Sequence, residues 1–278
     1  MRINNNLMSM NTYRQYSINT TNAAASTEKL SSGYRINRAG DDAAGLAISE
    51  KMRAQIRGLN MASKNSQDAI SLVQTAEGAL NETHSILQRM RELAVQSSSD
   101  TNQSGSTEVD RDALDAEFQA LKAEIDDIAT KTKFNGKDLL KGDLASTGLT
   151  IQTGANNGDT LEIKIADMQS VSGLGITGAT DLKTQTAAAT AITTINTAIN
   201  TVSTTRSGLG ATQNRLQHKI NNLDTSSENL SAAESRIRDL DMAKEMTNYT
   251  KNNILVQAAT AMLAQANSAP QGVLQLLQ

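Results

Sequence analysis

The chain contains no cysteine and only one proline, Pro270, among its 278 residues. The absence of cysteine excludes disulfide bonds, thiolate nucleophiles and cysteine-based metal sites. Tryptophan is also absent, and there are only two phenylalanines and four tyrosines. Because aromatic side chains usually fill much of a globular core, this composition favours narrow helix-on-helix seams over a thick interior.

Charge and hydropathy exclude further classes of protein. The net charge of −3 gives no attraction to nucleic acid or to an anionic membrane surface, so neither is expected as a partner. No run approaches the roughly 20 apolar residues that cross a membrane. The first residues, Met1 to Asn11, lack an apolar core segment and therefore do not form a secretory signal peptide of the usual kind.

Apolar spacing predicts long helices along most of the chain. The predicted helices cover residues 3–33, 43–98, about 108–131, about 183–236 and about 239–267. Pro270 is expected to stop the last of them. The first helix is rich in Asn, Ser and Thr, so it is marginal and is expected to order only against a partner. Its apolar residues Ile3, Leu7 and Met10 fall at helical spacing and predict its packing stripe.

The helix over 43–98 carries two rows that repeat every seven residues, which is the pattern of a coiled-coil seam. The rows are Met52, Leu59, Val73, Leu80 and Leu87, with Ser66 as a break, and Ile48, Ala62, Ala69, Ala76 and Met90. The alanines permit close approach of a neighbouring helix. The predicted fold is mainly α, with long antiparallel helices in coiled-coil-like bundles formed by the N- and C-terminal segments and a small β-hairpin insertion.

Two short segments that alternate apolar and polar residues predict the hairpin. These segments are 149–153 and 161–165, and residues 156–159 between them have the composition of a turn. The β insertion is expected within about 137–166. Residues 170–181 are glycine-rich and are predicted to form a flexible loop.

The most distinctive stretch, residues 30–58, joins the first two predicted helices. Gly33 suits the position after a helix C-terminus, where a left-handed backbone costs a glycine nothing. Asp41 or Asp42 is predicted to cap the next helix and to place negative charge at its positive end. The residues alone therefore indicate a joint between two helices.

Patterns that would carry chemistry are weak. Gly173, Gly175 and Gly178 match a dinucleotide-binding pattern by letter, but that motif needs an acidic residue about 20 positions further on, and none lies between Asp181 and Asp224. The two histidines lie far apart and lack metal-binding spacing. The adjacent aspartates fit helix capping better than acid–base catalysis. The sequence therefore predicts no catalytic site, no cofactor and no metal.

The stretch 30–58, together with residues 91–96 (Arg-Glu-Leu-Ala-Val-Gln) and 134–136 (Phe-Asn-Gly), closely resembles bacterial flagellin. The likeness covers roughly residues 1–140 and 190–278. It implies an inner terminal helical domain and an outer rod domain. The implied bounds are 1–42 and 238–278 for the inner domain and 43–237 for the rod, with its hairpin at about 137–166. The family's variable outer domains lie between the Phe-Asn-Gly motif and the long C-terminal helix, a space that is short here, so the resemblance implies a short form without them.

The same resemblance implies roles for three groups of residues. The subunit surface that is also seen by the innate immune flagellin receptor is expected at Arg89, Leu93 and Glu117. The hinge between the layers is expected at Gly33, Arg35, Asn37, Arg38, Gly40, Asp41 and Asp42. Packing in the inner tube, or against a chaperone, is expected at Leu240, Met246, Leu255, Met262, Leu263, Leu274 and Leu277.

The function that the resemblance implies is self-assembly into the extracellular filament of the bacterial flagellum, which serves motility. The expected partners are other copies of the chain, a flagellar export chaperone, hook-associated and cap proteins, and the innate immune flagellin receptor. Export is expected through the flagellar type III channel as unfolded chain, and no enzymatic activity is expected. The alternative is a hook–filament junction protein, which shares terminal motifs with flagellin.

Overall fold

A computed structural model describes residues 6–100, 109–177 and 180–275 of the chain. The helices that it contains are α1 (Leu7–Ser32), α2 (Ala43–Ser97), α3 (Val109–Lys131), α4 (Asp143–Ser146), α5 (Gln185–Arg238) and α6 (Met242–Gln275). The predicted mainly α fold is confirmed, as are the extents of α2, α3 and α5 to within two residues. No helix within the described ranges is long and apolar enough to cross a membrane.

One predicted helix end is wrong. Helix α6 continues through Pro270 to Gln275 instead of stopping before the proline. A proline removes one backbone hydrogen bond and crowds the preceding turn, which can bend a helix without ending it. In a helix of 34 residues, the loss of one such bond leaves most of the ladder in place.

The β structure consists of two short antiparallel pairs. Strands β1 (Lys133–Phe134) and β2 (Lys137–Asp138) are joined by a turn in which Asn135 and Gly136 both have positive φ, at 49° and 79°. This is the backbone of a tight hairpin turn, which Asn-Gly adopts readily. Strands β3 (Leu149–Gln152) and β4 (Thr160–Ile163) form the predicted hairpin, with Leu149 opposite Ile163.

The chain divides into two compact units. The terminal unit contains Met1–Ala54 and Glu228–Gln278, and the middle unit contains Gln55–Ser227. These divisions fall inside α2 and α5 and not at the ends of those helices. The division expected from the resemblance, at the boundaries 42/43 and 237/238, stays a prediction.

The core of the middle unit is formed mainly by α2, α3 and α5, onto which the strand pairs pack. Val73, Leu80 and Leu87 of the first predicted row are fully buried, and Phe118 of α3 is buried in the same cluster. The break in the row, Ser66, is also buried, and its hydroxyl donates to the Ala62 carbonyl at 2.8 Å. A serine that satisfies its hydroxyl within its own helix can therefore occupy a core position.

The glycine-rich segment of the middle unit is a loop as predicted, since its described residues 170–177 and 180–181 contain no helix or strand, and it also contributes to the core. Leu174 and Ile176 are buried. Asp126 of α3 accepts hydrogen bonds from the backbone amide and the hydroxyl of Ser170, at 2.7 and 2.8 Å. Gly178 of the glycine pattern lies outside the described residues.

Ile48, which is predicted to belong to the second apolar row of α2, is not covered in the structure, since 47% of the residue is exposed. The covered residues on this turn are Gly45 and Ser49. A Cβ atom on Gly45 would lie 2.9 Å from Ile36 Cδ1, so the start of α2 packs closely on the residues before it. Small side chains allow this approach, whereas an isoleucine on that face would prevent it.

Candidate functional site

The terminal unit pairs α1 with α6 through a seam of small and polar side chains. The covered positions of α1 are Asn6, Ser9, Thr12, Tyr16, Asn19, Ala23, Ser26 and Leu30. Those of α6 are Glu245, Tyr249, Asn252, Val256, Ala259, Leu263 and Ala266. The positions recur every three or four residues, as in a coiled coil, but few of them carry a large apolar side chain.

Most of the large apolar side chains of this helix pair point away from the seam, whereas Leu30, Val256 and Leu263 lie in it. Leu7 is 72% exposed, Met10 is 65% exposed and Met262 is 60% exposed. The other exposed apolar residues are Met8, Tyr13 and Ile18 on α1, and Met242, Met246, Ile254 and Leu255 on α6. We call this set, with Leu7, Met10 and Met262, the outward faces. Such a concentration of exposed apolar side chains marks an interaction surface.

The expectation that α1 orders only against a partner stays a prediction, and Leu7 and Met10 of its helically spaced row lie on the outward face of the single chain. Ile3 lies outside the described residues. The physical reason is that Ser, Asn and Ala allow α1 and α6 to approach closely, which leaves the larger side chains on the other side.

The residues predicted to pack in an inner tube or against a chaperone lie in three environments. Met246, Leu255 and Met262 are exposed on the outward face of α6. Leu240 and Leu263 are half-buried within the chain. The side chain of Leu274 and the whole of Leu277 lie outside the described part of the chain. Their role in packing against another chain stays a prediction.

The segment after α1 is joined to the segment between α5 and α6 by backbone hydrogen bonds. Gly33 ends α1 in the left-handed conformation, with φ of 74°, and its N–H donates to the Lys29 carbonyl at 2.9 Å. The Gly33 carbonyl accepts from the Leu240 amide at 3.0 Å. Tyr34 and Asp239 form an antiparallel bridge. We call these two paired segments, residues 33–35 and 238–240, the clasp.

The rest of the predicted hinge is held by side-chain contacts. Asp41 Oδ2 accepts hydrogen bonds from the amides of Arg38 and Asn37 at 2.9 and 3.0 Å, and these bonds hold the pKa of the Asp41 carboxyl below its usual value. Arg38 makes a two-point contact with the Glu28 carboxylate at 2.9 and 3.0 Å. Asp42 Oδ1 accepts from the Gly45 amide at 2.8 Å, as predicted for a helix cap.

The seven predicted hinge residues therefore lie in a hydrogen-bonded segment. Arg35 adds a further bond, since its side chain donates to the Ile237 carbonyl at 3.1 Å. The backbone at Gly40 does not require a glycine, because its φ is not in the positive range and a Cβ there would meet nothing within 4 Å. The role of this segment in setting an angle between layers stays a prediction.

Of the three residues predicted to form the receptor surface, Arg89 and Glu117 are exposed and Leu93 is buried. Arg89 donates to Glu117 at 2.9 Å and to Glu92 at 3.2 Å, and these carboxylates, Glu117 foremost, raise the pKa of the guanidinium. Leu93 is 0% exposed and belongs to the core of the middle unit, so its placement on the surface is wrong for the folded chain. It lies on the face of α2 that turns toward the core, whereas Val95, two residues on, is exposed.

Within the described residues, no group of three or more His, Asp or Glu side chains could hold a metal ion. His84 contacts only Gln88 through its ring Nε2, at 2.9 Å, and His218 is exposed on α5. A helical chain whose terminal helices expose their large apolar side chains fits one class of protein: a structural subunit that completes its burial against neighbouring chains.

Comparison with known proteins identifies the family. The model of the bacterial flagellin N-terminal helical region matches residues 3–145, and that of the C-terminal helical region matches residues 192–277. A flagellin of Halalkalibacterium halodurans is 58% identical over 278 residues, with 100% of both chains covered. This chain belongs to the flagellin family.

Two further relatives extend the comparison. The flagellar filament 31.3 kDa core protein of Treponema maltophilum is 45% identical over 291 residues, with 100% of both chains covered. The crystal structure of Bacillus cereus flagellin is 39% identical and has a TM-score of 0.50, covering 62% of this chain and 94% of that one.

Proposed function

We propose that this chain is the repeating subunit of a helical flagellar filament, and that the outward faces of α1 and α6 carry contacts between subunits. The chain is a structural protein and not an enzyme. The observation that carries the proposal is that the terminal helix pair covers small side chains and exposes large apolar ones. Leu7 and Met262 are more exposed than the serines and alanines of the seam. Neighbouring copies would bury these side chains.

The energetics favour ordering of the terminal helices within a polymer. Fixing the backbone of one residue costs about 1–2 kcal/mol in conformational entropy. A seam of Ser, Asn, Thr and Ala buries little apolar area to offset that cost. Full burial of one large aliphatic side chain contributes about 1.5–3 kcal/mol. The outward faces hold ten such side chains or tyrosines, so burial against neighbours would supply the missing stabilisation.

Contacts between different surfaces of successive copies generate an open helical filament when the rotation does not close. The outward faces of α1 and α6 carry different side chains, which suits contacts of this head-to-tail kind. The resulting filament would lie outside the cell and serve motility, as the resemblance to flagellin implies.

The same exposed surface supports the proposal of further partners. Before assembly, the exposed apolar side chains of the outward face of α6 would favour aggregation, and an export chaperone that binds Met246, Leu255 and Met262 would shield them from water. We expect export through the flagellar type III channel as unfolded chain. Hook-associated and cap proteins would contact the first and last subunits of the filament through the same faces.

Recognition by the innate immune flagellin receptor is proposed for a surface centred on Arg89 and Glu117. Both side chains are about half exposed and are fixed to each other by their ion pair, which would present a preorganised pattern of charge. Leu93 would act beneath this surface as a core residue and not as a contact.

The assembly proposal is tested with Met262→Ser. The purified chain is dissociated by heat, cooled with short filament seeds, and its critical concentration is measured by sedimentation with negative-stain microscopy. Met262 is 60% exposed, so its burial between subunits would contribute about 1–2 kcal/mol. Because about 1.4 kcal/mol is a factor of ten, the variant should raise the critical concentration about five- to thirtyfold.

The matched control is Gln257→Ser, which places the same residue at an exposed polar position of the same helix. Its critical concentration should stay within about twofold of the parent, as for surface substitutions that remove no apolar contact. Equal effects of the two variants, or the absence of filaments from the parent chain, would contradict the proposal.

A hook–filament junction protein is the alternative that the sequence leaves open. It would share the terminal helix pair, so the fold does not separate the two. The number of copies does: a filament subunit elongates seeds without limit, whereas a junction protein adds a few copies and stops. The relatives at 58% and 45% identity, named as flagellin and as a filament core protein, support the filament subunit.

A further inference from the structure

Arg238, the last residue of α5, contacts two other parts of the terminal unit, α2 and the segment that follows α1. Its guanidinium Nη1 lies 2.7 Å from Glu50 Oε1 on α2, and its Cζ lies 4.9 Å from the centroid of the Tyr34 ring. Its backbone carbonyl accepts a 2.7 Å hydrogen bond from the Arg35 amide. Only 14% of its side chain is exposed, so these contacts are partly desolvated and correspondingly stronger.

The Arg238–Glu50 pair belongs to a row of alternating charges. Glu50 also lies 3.8 Å from Arg53, and Arg53 lies 3.5 Å from Glu234. Each carboxylate therefore lies against an arginine, with α2 and α5 each contributing charges of both signs. Replacing Arg238 with a neutral residue would leave Glu50 with only the longer contact to Arg53.

The helix pair that adjoins this cluster lacks the usual means of fixing its register. In a coiled coil, large apolar side chains that insert into holes on the facing helix set the axial position. The α1–α6 seam is mostly small and polar, so a shift of one turn would change its burial little. At the end far from the clasp, two hydrogen bonds of 2.7 Å join Asn6 to the Ala266 carbonyl and Ser9 to Asn267. Single hydrogen bonds of this kind contribute little net stability.

We infer that Arg238 is a positioning residue that fixes the register of α1 on α6. It holds Tyr34 against the end of α5, so that α1 and α6 leave the clasp at one axial position relative to each other. The inference rests on the proposed function, because a fixed register makes the outward faces of the two helices one continuous surface for the next subunit.

The residue type follows from this role. A flat guanidinium stacks on the Tyr34 ring while its N–H groups reach Glu50. A lysine ammonium is a compact charge on a flexible stem and serves one of these contacts at a time. Arg238→Lys should therefore retain part of the effect, and Arg238→Gln should retain little.

Register is measured by cross-linking within single full-length chains after seeded assembly, because the terminal helices are proposed to order within the polymer. Because the chain has no cysteine, Ser9→Cys with Asn267→Cys introduces the only two thiols, at side chains that contact each other across the seam. A short bismaleimide then joins the two helices of one chain. The product keeps the mass of a single chain and is separated from cross-linked dimers by denaturing gel electrophoresis.

Arg238→Gln in this background should lower the rate of cross-linking within the chain about tenfold, the combined effect of a cation–π contact and a partly buried ion pair. Arg236→Gln is the matched control, since it removes the same charge from the same helix end at an exposed residue. It should leave the rate unchanged. Arg238→Lys, which keeps the positive charge, should retain part of the rate.

Equal cross-linking rates for Arg238→Gln and Arg236→Gln would overturn the inference. So would a rate for Arg238→Lys no higher than that of Arg238→Gln when amide exchange shows that the terminal helices remain folded. The critical concentration of each variant, measured without the thiols, separates this result from the proposed function. Whether the parent chain forms filaments tests the proposed function alone. If Arg238→Gln cross-links as fast as the parent chain, only the role of Arg238 in fixing the register is refuted.

Discussion

Leu93 and Val95 lie two residues apart on α2 and should respond in opposite ways to truncation. Leu93 is 0% exposed within the core of the middle unit, whereas Val95 is 51% exposed. Leu93→Ala removes buried carbon atoms and leaves a cavity, which costs about 2–5 kcal/mol in the free energy of unfolding. Val95→Ala removes surface atoms only and should change that free energy by no more than about 0.5 kcal/mol.

The size of the effect makes it readily measurable. A loss of about 3 kcal/mol lowers the equilibrium constant for folding by more than a hundredfold, since about 1.4 kcal/mol is a factor of ten. For a unit of this size, each kcal/mol shifts Tm by about 2–4 °C, so Leu93→Ala should lower Tm by about 6–12 °C. The assay is urea and thermal unfolding of the full-length chain, followed by far-ultraviolet circular dichroism.

A second measurement separates a core role from a contact role. The proposed binding to the innate immune flagellin receptor should fall for Leu93→Ala only in proportion to the loss of folded middle unit. If Leu93→Ala left the free energy of unfolding within about 0.5 kcal/mol of the parent and still abolished binding, the side chain would be a direct contact and the reasoning from burial would be refuted.

Three further predictions follow from the local geometry. Gly33→Ala places a side chain at φ of 74°, so it should destabilise the clasp by about 1–2 kcal/mol, measured by amide exchange, whereas Gly40→Ala should be neutral or slightly stabilising. The pKa of Asp41 is lowered in the folded chain, so the stabilisation that this carboxylate gives to the segment between α1 and α2 is complete above the unfolded-state pKa of about 3.9. It is lost as the pH falls through the lowered pKa. Hydrogen exchange of the two amides that donate to Asp41 should therefore accelerate below about pH 4, and Asp41→Asn should remove that pH dependence. A Cβ on Gly173 would lie 2.0 Å from the Asp167 carbonyl oxygen, so Gly173→Ala should lower the free energy of unfolding of the middle unit, measured in urea. This loss should be larger than any change in the free energy of unfolding that Gly40→Ala causes.

Much of the secondary structure follows from local pattern. The long helices are predicted correctly because apolar residues recur every three or four positions and no proline or glycine cluster interrupts them. The hairpin at β3 and β4 is predicted because alternation and turn residues act over a few neighbouring positions. The cap at Asp42 and the left-handed end at Gly33 are likewise properties of a short segment and its residue types.

Pattern is less informative about which face of a helix is covered. In α1 and α6, apolar residues lie on several sides, so periodicity alone does not determine that Leu7 and Met10 are exposed in the single chain. Leu93 presents the opposite case, since a motif that suggests a surface contains a residue that faces the core. Burial depends on which other elements approach a face, and a single helix does not encode that approach.

The sequence by itself determined the helical class, the absence of thiol chemistry and the extents of α2, α3 and α5, because these depend on residue type and short-range spacing. Only the tertiary structure decided that α1 and α6 meet through serine, asparagine and alanine, and that Arg238 joins Tyr34 to Glu50. Those contacts join distant residues, with a separation of 188 positions between Glu50 and Arg238 and of 260 positions between Asn6 and Ala266. The folded backbone alone brings such residues together, and it leaves the outward faces for other chains to cover.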